Sequence, residues 1–529
     1  MPGPGEWPVD DPVGDSSVDL LRDRAASTPD ATAVVDADEG AEWTYREFDE
    51  RVSARAARIA NRFDVVDDDS VEGSRGRVGL LFGTRVAFAD CYFAIGRLGA
   101  SAVPLNVELP TDRLRSQVSR ADVDLIVCGR ETEALATEIT SPGVPVASVD
   151  EPVSDAVASL QRSGAAVREP TTTSVEVPLD AERVVMFTSG TSGEPKGVRL
   201  TRGNLVASAV GSAHRLGVDP GDRWLVCLPM YHMGGLAPLV RSTLYGTTTV
   251  IQREFDADAT ARVLDEFDIS GVSLVPTMLT RLLDDGWTPS DSLRFVLLGG
   301  APASRDLIER CADRDVPAYP TYGMTETASQ VATATPEEAR SHPDTVGRPL
   351  RNTSVTTVDT DGSTADSDEP GELVVAGPTV TPGYLDDEQT AAAFGDRGFH
   401  TGDLGYADEA DRLWIVGRVD DAIVTGGENV HPARVADAIR EVDGVEDAAV
   451  VGLPDEEWGE RVAALVVPAG DSPETAAVTP DRIRDAARER LADFAVPKTV
   501  AFADALPRTH SGTVDRDAVR AATSRSRTD

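Results

Sequence analysis

The chain has 529 residues and a formal net charge of -40 at pH 7, from 90 Asp and Glu against 50 Lys and Arg. That balance repels nucleic acid and anionic membrane surfaces, and the length exceeds what one hydrophobic core usually supports, so at least two domains are expected. A content of 41% hydrophobic residues, arranged with regular periodicity, excludes a disordered chain. Met1-Pro-Gly-Pro-Gly-Glu-Trp7 lacks the basic and apolar regions of an export signal, and no apolar run reaches the roughly 18 residues of a membrane span. A cytoplasmic protein without membrane insertion is expected.

Trp43-Thr-Tyr-Arg-Glu-Phe48 opens a helical pattern that runs to Phe63, and Arg77 to Phe82 reads as a buried strand. Ala87 to Leu98 is helical, Gly99 to Leu105 carries the chain into a further strand, and Leu125 to Cys128 is another short apolar run. Such alternation predicts a largely parallel sheet with helices on both faces. Val66 to Arg75 and Glu131 to Asp180 read as surface insertions, weak in periodicity. Val184 to Phe187 is an apolar strand; after it, Thr201 caps a helix with Leu205, Ala209, Ala213 and Leu216 on one face and Gly217 at its end. Strand signals follow at Trp224 to Cys227, Thr248 to Ile251, Gly271 to Val275 and Leu293 to Leu298. From Gly347 short strands broken by turns predict a small β subdomain, about 347–418. Beyond it, helices of about Pro432 to Val442 and Arg482 to Phe494 with strands near Ala448 to Val451 and Val462 to Val467 make a compact module, 419–529.

The densest chemistry lies in Thr188-Ser-Gly-Thr-Ser-Gly-Glu-Pro-Lys196-Gly. Gly190 and Gly193 let backbone N–H groups turn inward, Thr188, Ser189, Thr191 and Ser192 add hydroxyls, and Lys196 brings a point charge, the composition of a turn that cradles phosphate. Only two residues separate Gly193 from Lys196 and no Ser or Thr follows, so this is not the GxxxxGK[ST] loop. Lys196 and Lys498 are the only lysines of the chain. High acidity with lysine nearly eliminated reads as the surface of an extreme halophile's protein. Cys91, Cys128, Cys227 and Cys311 are isolated and expected to be buried apolar residues.

The phosphate segment resembles the ATP-binding loop of the adenylate-forming superfamily, which includes acyl-CoA ligases, luciferases and adenylation domains. Pro229-Met-Tyr-His232, Tyr322-Gly-Met-Thr-Glu326-Thr, Thr401-Gly-Asp403 and Gly417-Arg418-Val-Asp420-Asp421 follow in that family's order. The resemblance implies an α/β fold with a large N-terminal domain of doubly wound sheets plus the small β subdomain, 1–418, and a small mobile α+β C-terminal domain, 419–529. It implies ATP, Mg²⁺ and coenzyme A as cofactor and co-substrates and a small-molecule carboxylic acid as substrate. Lys196 would face the β and γ phosphates, Thr325 the α-phosphate, and Glu326 the metal. Gly299, Gly300, Ala301, Tyr322 and Gly323 would wall the adenine, Asp403 would take the ribose hydroxyls with Arg418 beside it, and His232 would stand between nucleotide and acyl pocket. Asp420 would be the hinge, and Gly426, Gly427 and Glu428 the loop offered to the thiol of coenzyme A.

Within the superfamily, the segments around His232, Leu239 to Gly246, Leu297 to Pro302 and Tyr322 to Gln330 look most like the o-succinylbenzoate:CoA ligases of menaquinone synthesis. That substrate carries a second carboxylate, for which Arg241, nine residues after His232, is the candidate cation. Thr277, Ser329 and Gln330, with the apolar Leu236, Val275 and Met278, are the expected lining of the ring. Another aryl- or medium-chain acyl-CoA ligase, a stand-alone adenylation protein and a nucleotide-binding pseudoenzyme are the alternatives, and a homodimer is left open. One departure stands out: in Ser511-Gly-Thr513 the residue that the family keeps as a lysine for adenylation is a threonine, with Arg508, Arg516 and Lys498 as replacement cations nearby in sequence.

Overall fold

Short runs of Val, Ile and Leu bounded by turn residues become the strands of two sheets in the larger of two compact units. The computed structural model describes residues 19–63, 76–161, 178–188, 195–359, 361–455, 457–469, 478–508 and 514–525. The larger unit comprises Met1–Gly299, Ala303–Ser354 and Val375–Phe399; the smaller comprises Gly300–Pro302, Val355–Val374 and His400–Asp529. Most of the strands expected in a β subdomain therefore group with the C-terminal module. The expected insertion Val66 to Arg75 lies wholly outside the described residues.

One sheet of the larger unit has the strand order Gly383–Tyr384, Lys196–Thr201, Glu182–Thr188, Ser101–Pro104, Arg77–Leu81, Leu125–Cys128, Val146–Ser148, Ala158–Ser159. From Glu182–Thr188 onward its pairs are parallel; the first two pairs are antiparallel. Of the stretch Glu131 to Asp180, residues 162–177 lie outside the described ones, and the part up to Leu160 is not the surface insertion its weak periodicity suggested. It contributes the helix Glu133–Ile139 and two of these strands, because Ile139, Ala147, Val157 and Leu160 are buried against the sheet's core. The other run of strands in this unit, Ala318–Met324, Phe295–Leu298, Gly271–Leu274, Arg223–Val226, Thr248–Ile251 and Thr32–Asp36, is parallel throughout. Except for Ala318–Met324, whose burial alternates, these strands are buried on both faces, which is why they read as short apolar runs.

Local signals set the helices. Thr44 and Glu47 form a capping box that starts the helix Tyr45–Ala60 after a short strand, Ala41–Thr44, and Thr201 with Asn204 does the same for Arg202–Leu216, which ends at Gly217 with φ +75°. All four cysteines are free and buried. In the smaller unit, strands Ser354–Val358, Gly371–Ala376, Gly398–Ala407 and Leu413–Arg418 lie side by side, and a second sheet is built on the long antiparallel pair Val445–Asp455 and Gly459–Pro468. Apolar residues alternate across that pair to fill two small cores, one around Ile439 and Val450, the other around Val451 and Leu465. Among the described residues no helix is long and apolar enough to cross a membrane.

Two helices of the larger unit are clamped by a buried charge cluster. Asp90, 0% exposed, accepts from Arg55 Nε at 2.9 Å and Arg51 Nε at 2.7 Å, while Arg55 Nη1 also donates to the Leu160 carbonyl at 2.9 Å. Removing one partner of such a cluster strands the others as uncompensated buried charge. Asp90→Ala is therefore expected to lower unfolding free energy by about 3 to 5 kcal/mol, read by denaturant unfolding; a loss below about 1 kcal/mol would show the cluster to be as weak as a surface pair.

Candidate functional site

The segment expected to form a phosphate turn is a β-hairpin. Lys196 does not sit in the turn itself: it opens the strand Lys196–Thr201, directly opposite Thr188 in the antiparallel pairing with Glu182–Thr188. The apolar strand forces this, since Val198 and Leu200 must enter the same core as Val184 and Met186. Thr188 and Lys196 thus stand as the two posts of the loop. Ser189, Gly190, Thr191, Ser192 and Gly193 lie outside the described residues.

The next strand of the same sheet brings a residue that sequence reasoning passed over. Tyr384, on Gly383–Tyr384, pairs with Val198. Its ring centroid lies 5.0 Å from Lys196 Nζ, and its hydroxyl donates to Glu326 Oε1 at 3.1 Å. One aromatic side chain therefore binds the lysine on its face and the carboxylate at its tip, a cation–π contact plus a charge-assisted hydrogen bond. Glu326 is further located by its backbone, whose carbonyl accepts from Thr381 N at 2.7 Å. Glu326 and Thr325 belong to the short 3-10 turn Thr325–Thr327 that follows the strand Ala318–Met324. The signal that could have found Tyr384 is Pro-Gly-Tyr at 382–384, where a lone aromatic follows the turn residues.

That 3-10 turn also shapes the surroundings of Arg241. Ala328 and Ser329 take φ of 52° and 115°, conformations that cost a non-glycine residue free energy and persist only where the surroundings impose them. Gly323 makes room: a Cβ there would meet the Ser329 carbonyl oxygen at 1.7 Å. The tyrosine-glycine pair expected only as an adenine wall thus also lets the returning strand bulge. The consequence is that Ser329 Oγ accepts from Arg241 Nη2 at 3.1 Å.

Arg241 lies in the helix Met233–Tyr245, is 4% exposed, and stacks over Trp224 with its guanidinium 5.2 Å from the ring centroid. No carboxylate among the described residues pairs with it, and burial alone pushes its pKa down to about 9. His232 is the N-cap of the same helix, exposed, with its ring edge-on to Tyr231 at 4.9 Å. Desolvation lowers its pKa against the opposing pull of Glu108, a second residue the sequence reading missed. Gln330 is buried; its Nε2 donates to Thr333 at 2.8 Å and its Oε1 has no partner among the described residues. Thr277 and Met278 fall in the first turn of the helix Pro276–Asp284, and Gly299 follows the strand Phe295–Leu298 with only 2.8 Å between an added Cβ and Thr321.

The smaller unit carries the remaining expected residues, Gly300 and Ala301 in the loop after that strand and the others farther along. Asp403 and Arg418 are cross-strand partners in the antiparallel pair Gly398–Ala407 and Leu413–Arg418. Arg418 Nη1 donates to Asp403 Oδ1 at 2.8 Å and to the Thr401 carbonyl at 3.0 Å, and Gly402, at φ +67°, leaves space for the guanidinium. Asp403 is 8% exposed. Asp420 is exposed on the 3-10 turn Val419–Asp421. Gly426 and Gly427, at φ +62° and +86°, are the two turn residues between strands Ile423–Thr425 and Glu428–Val430, and they and Glu428 are solvent-facing.

Lys196 and Thr188 at the ends of a glycine- and serine-rich loop, a carboxylate tied to the lysine through Tyr384, and a paired Asp–Arg on neighbouring strands elsewhere are the features the comparisons with known proteins bear on. Residues 21–385 match the family model described as AMP-binding enzyme, and 434–513 match the AMP-binding enzyme C-terminal domain. The chain belongs to the AMP-binding enzyme family. It is similar to the 2-succinylbenzoate–CoA ligase of Bacillus thuringiensis subsp. konkukian, 36% identical over 496 residues, 93% of this chain and 95% of the relative. Among solved structures it is similar to o-succinylbenzoate CoA synthetase (MenE) from Bacillus subtilis in complex with the acyl-adenylate OSB-AMP, with TM-score 0.82 and 30% identity over 95% and 98% of the two chains. It also resembles ATP-bound MatB from Rhodopseudomonas palustris, with TM-score 0.83 and 27% identity over 96% and 98%.

Because Tyr384 ties Lys196 to Glu326, Tyr384→Phe should keep the ring under the lysine and weaken ATP use by roughly tenfold, the cost of one hydrogen bond to a charged group. Tyr384→Leu should cost more, since the cation–π contact goes too. Equal kcat/KM for ATP in wild type and both variants would place Tyr384 outside the site.

Proposed function

We propose that the protein joins o-succinylbenzoate to coenzyme A in two steps, forming the acyl adenylate with release of pyrophosphate and then transferring the acyl group to the thiol with release of AMP. The observation that carries this reading is Arg241. A buried guanidinium without a carboxylate is costly, and a dicarboxylic substrate supplies the missing charge. The relatives named as 2-succinylbenzoate–CoA ligases support it.

In the first step the substrate oxygen attacks the α-phosphorus, so the protein's work is positioning and charge neutralisation. Lys196 and Thr188 stand at the β and γ phosphates, Thr325 at the α-phosphate, and Asp403, aligned by Arg418, takes the ribose hydroxyls. Arg241 and Ser329 hold the distal carboxylate, which fixes the direction in which the reacting carboxylate points. Glu326 suits Mg²⁺, a hard ion that keeps several waters and is usually held by one or two carboxylates together with substrate phosphates. Bound there, the ion would neutralise charge on the leaving pyrophosphate. For the second step we assign the hinge to Asp420, with the domain boundary at 418–419, and the loop that meets the pantetheine to Gly426, Gly427 and Glu428. The glycine pair admits close approach there.

The chain works, in our reading, in the salt-rich cytoplasm of a halophile making menaquinone. In molar KCl with ATP, Mg²⁺ and coenzyme A, o-succinylbenzoate should yield its CoA thioester, AMP and pyrophosphate by mass spectrometry, and activity should fall in dilute buffer as the acidic surface loses its screening. ADP and phosphate as products would refute the adenylate route. Arg241→Ala should raise the KM for o-succinylbenzoate roughly tenfold to a hundredfold with little change for ATP; equal effects on both substrates would make it structural.

Thr513 lies outside the described residues, but its three candidate substitutes do not. Lys498 Nζ sits 3.8 Å from the Trp458 ring centroid, Arg508 pairs with Asp447 at 2.8 Å, and Arg516 is ion-paired to Asp421, next to the proposed hinge. A threonine hydroxyl supplies no charge, so we propose that adenylate formation limits turnover. Thr513→Lys should then speed pyrophosphate release while leaving thiol attack on presynthesised adenylate unchanged. No gain from Thr513→Lys, together with loss of adenylation in Arg516→Ala, would show that the cation has moved to Arg516.

A further inference from the structure

Asp403 is aimed by a stretch of backbone that has to be held in place. Thr401, Gly402 and Asp403 fall within the strand Gly398–Ala407, and Gly402, at φ +67° and without a side chain, gives the chain little stiffness of its own there. Bonds from neighbouring strands supply it. Arg418 Nη1 donates to the Thr401 carbonyl and to Asp403 Oδ1. Thr401 Oγ1 donates to the Leu373 carbonyl at 2.7 Å and accepts from Asp403 N at 3.0 Å. The Gly402 N–H goes to a side chain, donating to Glu372 Oε1 at 3.0 Å.

Glu372 has no part in the chemistry assigned above, and its setting is not that of a solvated carboxylate. It lies on Gly371–Ala376, the strand beside Gly398–Ala407 in the sheet, with its side chain 27% exposed. Its second oxygen, Oε2, is 2.8 Å from His400 Nδ1. His400 and Gly402 are two residues apart on one strand and share a face, so a single carboxylate spans both with one oxygen on each. A carboxylate oxygen accepts, so Nδ1 carries the proton, and His400 restrains the carboxylate from rotating off the Gly402 N–H. Both partners of Glu372 thus belong to the strand that carries Asp403, on its N-terminal side.

We propose that Glu372, restrained by His400, is a positioning residue for nucleotide binding: it fixes the peptide between Thr401 and Gly402, and through it the direction in which the Asp403 carboxylate meets the ribose hydroxyls. It rests on the placement of the ribose at Asp403 in the proposed function. Glu372 acts through one backbone N–H and does not touch the nucleotide. Its effect is therefore confined to the hydroxyls. A nucleotide without them gains nothing from a well-aimed Asp403, so loss of Glu372 is felt by ATP and not by 2′,3′-dideoxy-ATP, whereas a carboxylate that merely stabilised the sheet would affect both alike.

The test measures Kd for ATP and for 2′,3′-dideoxy-ATP, each with Mg²⁺, by titration calorimetry on the full chain in molar KCl, with neither acid nor coenzyme A present. Wild type should prefer ATP by roughly tenfold to a hundredfold, the worth of a hydrogen bond to a charged group, and Asp403→Ala should erase the preference. Glu372→Ala should weaken ATP about tenfold and leave dideoxy-ATP unchanged, which also certifies that the variant is folded. Glu372→Gln should keep the preference, because its amide oxygen still accepts from the Gly402 N–H while its NH₂ donates to His400 Nδ1 in the other tautomer. Equal weakening of both nucleotides by Glu372→Ala, or a loss of preference in Glu372→Gln as large as in Glu372→Ala, would overturn the proposal. A preference lost in Asp403→Ala but kept in Glu372→Ala removes this inference alone; no preference in wild type, or one kept in Asp403→Ala, removes the ribose placement and this inference with it. Formation of AMP only with an acid other than o-succinylbenzoate removes the substrate reading and leaves this inference standing.

Discussion

A guanidinium held in the interior, with no carboxylate partner among the described residues, is the constraint around which Trp224, Ser329 and Gly323 are arranged. Desolvating such a cation costs several kcal/mol unless other groups compensate, and here every compensation is partial. One N–H reaches Ser329, the π face of Trp224 covers one side, and Nε is left over. Ser329 can serve only because it adopts a strained backbone conformation, and that conformation fits only because residue 323 has no side chain. The strain, the glycine and the buried charge are thus one linked feature.

The strands that carry Lys196 and, in the smaller unit, Asp403 follow a different logic. There the charges are held by neighbours on paired strands. Lys196 is opposite Thr188, Tyr384 is opposite Val198, and Asp403 is opposite Arg418. Cross-strand pairs hold side chains to a fixed spacing whatever the loops between them do. A loop rich in glycine and serine can therefore carry phosphate-binding groups while its two ends stay in register. Tyr384 extends the same device across a third strand, so Lys196 and the Glu326 carboxylate share a single rigid support.

Glycine serves two unlike purposes in the smaller unit. At 426–427 a pair with positive φ closes a two-residue hairpin and leaves a bare, solvent-facing backbone. At 402 the missing side chain admits the Arg418 guanidinium against Asp403. Both positions look alike as letters in a sequence; the first is a turn requirement and the second a packing one.

Much was legible from residue order alone, for reasons that are local. Parallel strands buried on both faces must be short apolar runs, so Thr248–Ile251 and Leu125–Cys128 fall where periodicity puts them. Thr201 and Gly217 bracket their helix because capping is decided within one turn of chain. The string of glycines, hydroxyls and Lys196, and the order of motifs after it, defined the family. What residue order could not supply was anything set by a partner far along the chain. The stretch after Glu131 looks too weakly patterned to be core, yet its few apolar residues are enough once a sheet edge is already there to receive them. Tyr384 gains its role only when a strand nearly 190 residues after Lys196 is hydrogen-bonded beside it. Arg241 reads the same in sequence whether it is a surface cation or a buried one, because burial without a counter-ion is a property of the packed helix, its neighbour Trp224 and the strained Ser329, and those meet only in the folded chain.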